Sequence, residues 1–254
     1  MQQTTGMTDT RDSTERRCAN CNSPQSTVYC GECGQHERGS RPLRMRDITA
    51  NCAEALLEVD SPLPATLVGL IRNPGQLCLN YVSGQRKRYL NPFAFLLVAV
   101  TAQVILSAGL RWTGWVEPQP DESGAIPDDA LNWVLFAIVV PLGFLWTKLF
   151  ASSGRNFAEN YVLGLYLLGL FAWFELMLLP LTFVAAPDSI QLVVYLIVWL
   201  TIATWAGAGF YSMPRCSVFW RMLASTSVTF LVFGGLLFAV LEAVAHFSPA
   251  EITK

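Results

Sequence analysis

The stretch that decides the fold is Arg72 to Pro92, RNPGQLCLNYVSGQRKRYLNP. The chain before it is polar, whereas almost everything after it is apolar and long enough to lie in a bilayer. Proline removes a backbone donor and glycine weakens a helix interior, so Pro74, Gly75, Gly84 and Pro92 argue against a single regular helix. We therefore expect a broken, compact element at the entrance to the membrane.

The second half of this stretch is basic and aromatic. Arg86, Lys87 and Arg88 form a positive run directly before the first apolar segment. Tyr81 and Tyr89 suit the headgroup layer, where an amphipathic ring keeps its hydroxyl wet. We expect a re-entrant or interfacial turn in which Arg86 binds a lipid phosphate or a carboxylate, because a planar guanidinium binds such groups bidentately. A generic positive flank of a span is the alternative.

The composition is that of a membrane protein. The chain has 254 residues, of which 52% are hydrophobic and only 14% are charged, and its mean hydropathy is +0.38. Soluble domains contain about 25% charged residues. Five apolar runs predict an all-α integral membrane domain, residues 93–245, with five transmembrane helices. These runs lie at about 93–110, 131–150, 161–184, 190–210 and 223–245.

The charges between the runs predict the orientation. When the connections are assigned to alternate sides, 15 of the 17 Lys and Arg residues fall on the side of the N-terminus. Positive residues accumulate on the cytoplasmic side of membrane proteins. We therefore expect a cytoplasmic N-terminus and a short external tail, residues 246–254.

Two CxxC pairs predict a structural metal site. Cys18 and Cys21 are followed, after eight residues, by Cys30 and Cys33. Two such turns aim four thiolates at one tetrahedral Zn²⁺, and a ribbon over residues 18–36 would depend on the metal because it cannot bury a core. Two disulfides are an alternative, although we expect no secretion signal and a reducing cytosol. An iron–sulfur cluster also accepts four thiolates.

The segments around the ribbon are polar and basic. Residues 1–17 have the composition of a disordered N-terminus. Residues 37–92 form a basic linker that can attract anionic lipid, with interfacial helices expected at 47–59 and 64–72.

Three polar side chains within the apolar runs are candidate functional residues. Glu175 lies in the third run, where an ionisable group is costly and suggests a function. The alternative is a protonated carboxyl group that is hydrogen-bonded to a neighbouring helix, for instance to Gln103 in the first run. Glu242 lies near the outer end of the last run, four residues before His246, and the two could form a pair.

The motifs of the ribbon and of the opening stretch resemble an uncharacterised family of bacterial inner-membrane proteins, catalogued as a domain of unknown function. The pattern is an N-terminal CxxC…CxxCGQ ribbon, Arg-Pro-Gly, and Tyr-x-x-Gly-x-Arg-x-x-Tyr-x-x-Pro-Phe before the first span. The matching residues are Cys18, Cys21, Cys30, Cys33, Pro74, Gly75, Tyr81, Gly84, Arg86, Tyr89, Pro92 and Phe93. Asn73 interrupts the Arg-Pro-Gly motif after Arg72. The resemblance implies an inner-membrane location and a metal-binding head, but no activity.

The five-span layout is also similar, at the level of the fold alone, to Yip1-type membrane proteins.

No P-loop, HExxH, GxSxG or GxGxxG motif is present, and the only histidines are His36 and His246, so we do not expect an enzyme. We expect a membrane-anchored scaffold whose ribbon binds a cytosolic protein, and we do not expect it to bind nucleic acid. The alternative is a small transporter or lipid-handling protein that uses Glu175.

Overall fold

The computed structural model describes residues 16–37, 43–45, 62–113, 128–182 and 188–247. Apart from the ribbon and short connections, these residues are helical. The helices are α1 (Leu63–Arg72), α2 (Pro74–Val82), α3 (Pro92–Trp112), α4 (Asp128–Leu149), α5 (Phe157–Thr182), α6 (Asp188–Tyr211) and α7 (Arg215–Phe247). The helix expected at 64–72 is α1, whereas the one expected at 47–59 lies outside the described residues, as do most of residues 1–17.

Four of these helices are long and apolar enough to cross a membrane. Their apolar segments are Pro92–Leu110, Phe157–Leu178, Ile190–Tyr211 and Arg215–Gly235. A multi-pass membrane protein is therefore indicated. Helix α4 has 22 residues, but its described apolar part, Phe136–Leu149, is shorter than the roughly 20 residues that a span needs. The fifth span stays a prediction.

Helix α5 is the central helix of the bundle. Of the residues in its apolar segment, 61% are buried in protein, against 22–28% in the other three candidate spans. A helix that is apolar on all sides is typically enclosed by its neighbours, and α5 packs against α3, α4 and α6 and against the pair α1–α2. Gly169 allows α5 to approach α3 closely, because a Cβ atom there would lie 2.6 Å from the Phe95 ring.

Two Asn-Pro pairs start helices. The side-chain oxygen of Asn73 accepts a hydrogen bond from the backbone N–H of Gln76 (3.2 Å), and Pro74 is the first residue of α2. In the same way, Asn91 caps α3 through the N–H of Phe93 (2.9 Å). Asparagine is a preferred N-cap, and proline fits the first helical position because its missing N–H is not needed there. The prolines of this stretch therefore begin helices.

Polar and aromatic contacts join the helices at one end of the bundle, where α4 and α6 end and α5 and α7 begin. The Tyr211 hydroxyl donates to the side-chain oxygen of Asn160 (2.7 Å), and its ring stacks on Phe150 with centroids 3.9 Å apart. The Arg221 guanidinium donates to the Leu149 carbonyl (2.9 Å). We call this the basic end, because Arg155 and Arg221 lie in it.

The polar residues at the start of α7 are used in helix packing. Ser225 accepts a hydrogen bond from the indole N–H of Trp146 (2.9 Å), and Thr226 accepts one from Trp199 (3.0 Å). These bonds connect α7 to α4 and to α6. Buried indole groups need such partners, so the hydroxyl groups of Ser225 and Thr226 serve the packing of the bundle.

Candidate metal centre

The four cysteines lie in two similar turns. The N–H of Cys18 donates to the carbonyl of Ser23, and the carbonyl of Cys18 accepts from the N–H of Asn22, both at 2.9 Å. The same two hydrogen bonds recur around Cys30. Each turn ends in a left-handed residue, Asn22 with φ 62° and Gly34 with φ 69°, and these residue types tolerate that conformation best.

The two turns bring the thiol groups together. The sulfur atoms all lie within 4.8 Å of one another. The Sγ atoms of Cys18 and Cys33 are 3.6 Å apart, and those of Cys21 and Cys30 are 3.5 Å apart. All four are free thiols, so the two-disulfide alternative is not observed. Ligands about 2.3 Å from a tetrahedral zinc ion are about 3.8 Å apart, so the donor set fits one metal ion.

The surroundings of two of the thiols differ. Hydrogen bonds from the hydroxyl and the backbone of Ser23 lower the pKa of Cys21 to about 6. Burial raises the pKa of Cys33 to about 11. Because metals bind the thiolate form, binding at this site would release protons. His36 packs edge-on against the Tyr29 ring, with centroids 4.9 Å apart, and is not among the clustered ligands.

Gln35 joins the ribbon to the juxtamembrane turn, residues 83–88, which we call the basic turn. Gln35 is only 5% exposed. The amide nitrogen donates to the Gly84 carbonyl (2.8 Å), and the amide oxygen accepts from the N–H groups of Arg86 (3.3 Å) and Lys87 (3.4 Å). Gly84 has φ 117°, which L side chains rarely adopt. No local sequence pattern connects the CGQ motif with this turn, because the two lie about 50 residues apart.

Gly75 provides a direct contact between two helix backbones. It is buried in α2 and faces Ala206, Gly209 and Phe210 of α6. A Cβ atom at this position would lie 2.8 Å from the Phe210 nitrogen and 2.9 Å from the Gly209 Cα atom. The close approach of α2 therefore explains Ala206 and Gly209, whereas Gly207 faces Val218 and Met222 of α7. Helix α2 lies against the bundle, so it is not an element that only rests on the membrane surface.

The prediction that Tyr81 and Tyr89 lie wet in the headgroup layer is wrong. They are only 3% and 8% exposed. The Tyr81 ring packs edge-on against Tyr166, with centroids 5.6 Å apart, and the Tyr89 hydroxyl contacts the side-chain nitrogen of Asn80 at 3.3 Å. The Tyr166 hydroxyl donates to the carbonyl of Leu90 (2.6 Å). The packing of α2 on α5 covers the Tyr81 ring, whereas the Tyr89 ring lies beside Gly69 of α1.

The cations of the opening stretch differ in exposure. Arg72 ends α1 and is exposed, and Arg86 is half-buried in the basic turn. Lys87 and Arg88 are exposed, and the Arg88 guanidinium lies 5.7 Å from the centre of the Tyr89 ring. Their binding to anionic lipid stays a prediction.

Glu175 and Gln103 pair across two helices. The Gln103 side-chain nitrogen donates to the carboxyl group of Glu175 (3.0 Å) and to the Ala172 carbonyl (3.1 Å). The sequence suggested a hydrogen bond between these two residues as the alternative to a functional role of Glu175. This hydrogen bond is present, and it connects α3 to α5. Glu242 and His246 belong to α7, but their side chains lie outside the described residues.

Comparison with known proteins finds one similarity. The family model described as "Protein of unknown function (DUF3667)" matches residues 60–104. The match covers α1, α2, the basic turn and the first half of α3, and it does not include the four clustered cysteines. No curated protein and no solved structure matches the chain. The bacterial origin and the similarity to Yip1-type proteins stay predictions. Over residues 60–104 the chain is similar to a domain of unknown function, which here accompanies a possible metal-binding cysteine cluster and membrane-like helices.

Proposed function

We propose that this protein is a membrane-anchored scaffold, in which a zinc ribbon at the basic end of the bundle binds a cytosolic protein. The main support is the surface of the ribbon. Gln35 attaches the ribbon to the basic turn, while Val28 and Tyr29 are 51% and 60% exposed. Apolar and aromatic side chains on a fixed small module are typical anchors of protein interfaces.

Zinc is the metal that we propose for the cluster. Four thiolates in two compact turns are the usual ligand set of a structural zinc ion, and the described turns hold the sulfur atoms at separations that suit it. The metal would supply the folding energy of a ribbon that buries few apolar side chains. Elemental analysis distinguishes zinc from the iron–sulfur alternative, and we expect one zinc ion per chain.

The charge of the ribbon favours a protein partner over nucleic acid. Arg16 and Arg17 are balanced by Glu32 and Glu37, and Arg16 forms an ion pair with Glu37 at 3.1 Å. Nucleic-acid binding depends on clustered positive charge. Anionic lipid is instead proposed for the basic turn, where Lys87 and Arg88 are exposed.

We propose a location in a bacterial inner membrane, with five spans, a cytoplasmic ribbon and an external C-terminus. The support is the distribution of Lys and Arg along the chain, together with the position of Arg155 and Arg221 at the same end of the bundle as the basic turn. Compartment-specific reporters fused to each terminus test this topology. A cytoplasmic C-terminus would require an even number of spans.

The contacts of Glu175 favour a structural role in this proposal. Its carboxyl group accepts a hydrogen bond from Gln103, whose amide also binds a backbone carbonyl. Transport or lipid handling through Glu175 has no comparable observation in its favour, and we propose no catalytic activity.

Site-specific photo-crosslinking tests the scaffold. A photoreactive amino acid replaces Tyr29 in native membranes, and in a control chain it replaces Trp112, which is 90% exposed at the opposite end of α3. We expect one protein to be captured from position 29 only, and to be lost when Cys21→Ser removes the metal. Equal capture from both positions, or capture that does not depend on Cys21, would contradict the proposal.

A further inference from the structure

The second CxxC turn, which begins at Cys30, fixes the backbone position of Gln35. Gln35 lies two residues after Cys33, and its carbonyl accepts a hydrogen bond from the N–H of Cys30 (2.9 Å). The N–H of Gly34 donates back to Cys30 (2.9 Å). The backbone of Gln35 is therefore part of the same turn that positions two of the metal ligands.

The equivalent residue of the first turn has a different role. Ser23 accepts the corresponding backbone hydrogen bond from Cys18, but its short hydroxyl group bonds to Cys21 within the same turn. Glutamine has a longer side chain with a donor and an acceptor at its end. Of these two similar positions, the second is the one whose side chain reaches the membrane domain.

Gln35 adds partners to backbone groups of the basic turn, in which the Arg86 N–H also donates to the Gly84 carbonyl (2.9 Å). It binds the Gly84 carbonyl and the N–H groups of Arg86 and Lys87. The chain after the turn is held independently, because the N–H of Leu90 donates to the Thr66 hydroxyl (2.8 Å). Gln35 therefore acts on the turn itself and not on the start of α3.

We propose that metal occupancy of the four-cysteine cluster controls the conformation of the basic turn, with Gln35 as the connection. A ribbon of this size loses its structure without metal, and the position of Gln35 is then no longer fixed. Backbone groups that lose a buried partner favour another conformation. The metal thereby determines how Lys87 and Arg88 are presented at the membrane surface. This inference rests on the proposed metal binding, but not on a protein partner.

Hydrogen exchange measured by mass spectrometry tests the connection. The full chain in lipid nanodiscs is compared with zinc bound and after chelation, and the peptide that covers residues 83–90 is followed. Gln35→Met keeps the length of the side chain and removes its amide. Gln25→Met is the matched control, because the Gln25 amide donates to the Thr27 and Val28 carbonyls within the ribbon. Zinc content is measured for every sample.

We expect chelation to accelerate exchange in residues 83–90 by about tenfold, as the loss of two or three hydrogen bonds implies. Gln35→Met should reproduce the acceleration while it retains zinc, and Gln25→Met should not. If the protein contains zinc but exchange in this peptide is the same with and without it, the inference is wrong and the metal site stands. A wild-type chain that binds no zinc would overturn both.

Discussion

The ribbon and the helical pair α1–α2 are both about 20 residues long, too short to fold on a core of their own. Their packing differs. The ribbon brings four of its own sulfur atoms close together, where they fit a metal ion. The pair α1–α2 instead buries Gly75, Leu77 and Tyr81 of α2 against longer helices. The ribbon therefore contains the ligands for its own stabilising group, whereas the pair α1–α2 depends on contacts with the rest of the chain.

Cysteine has a different role in each segment. Cys21 lies in the metal cluster, and hydrogen bonds from Ser23 lower its pKa. Cys78 of α2 is fully buried, and burial raises the pKa of its thiol. A thiolate is a metal ligand, whereas a buried thiol behaves as a small apolar side chain. Cys78 therefore packs as part of the hydrophobic core.

The largest effect is expected from removing one metal ligand. Cys21→Ser should abolish stable zinc binding and unfold the ribbon, because structural zinc contributes about 10–16 kcal/mol in comparable peptides. The helical bundle should remain folded, since its stability does not come from the metal. Elemental analysis and limited proteolysis measure the two effects.

The matched control for this change is Cys216→Ser. Cys216 is exposed at the start of α7, so its replacement should leave the zinc content and the protease pattern unchanged. Zinc retained in the Cys21→Ser variant would show that the ribbon does not depend on this ligand, and would remove the contrast between the two segments.

A medium effect is expected where α2 meets α6. Gly75→Ala should destabilise the bundle by about 1–3 kcal/mol, because the added methyl group would meet the backbone at Gly209 and Phe210, which cannot rotate away. Thermal unfolding in detergent measures the loss, and the zinc content should be unaffected.

Gly109→Ala in α3 is the control for this change. A Cβ atom there has no neighbour within 4 Å among the described residues, so the methyl group should be neutral or stabilise the helix by up to about 1 kcal/mol. If Gly75→Ala were equally harmless, α2 would not need its close approach to α6.

The smallest effect is expected at Glu175. Glu175→Gln keeps an oxygen that can accept the hydrogen bond from Gln103, so it should cost less than about 1 kcal/mol and leave membrane insertion intact. Glu175→Leu removes the acceptor and should cost more. Thermal unfolding of both variants decides this, and a loss for Gln as large as that for Leu would show that the carboxyl charge itself is needed.

Much of the architecture could be predicted from the sequence, because it depends on local spacing. Helix α1, the apolar segments and the cysteine cluster follow from patterns within about 20 residues. The surroundings of Tyr81 and Tyr89 could not be predicted in this way. An aromatic residue beside a basic run has the same local signature at a lipid surface as in a helix contact, and the structure shows the contact with Tyr166.

The sequence by itself determined the four-cysteine cluster and the membrane-like helices. A CxxC turn and an apolar run of sufficient length each depend on residues within one segment. Only the tertiary structure decided that Gln35 binds the Gly84 turn and that Gly75 packs on Gly209. Those partners are far apart in the chain. No periodicity within either segment encodes such a contact, because it exists only when the helices pack and bring both backbones to the same end of the bundle.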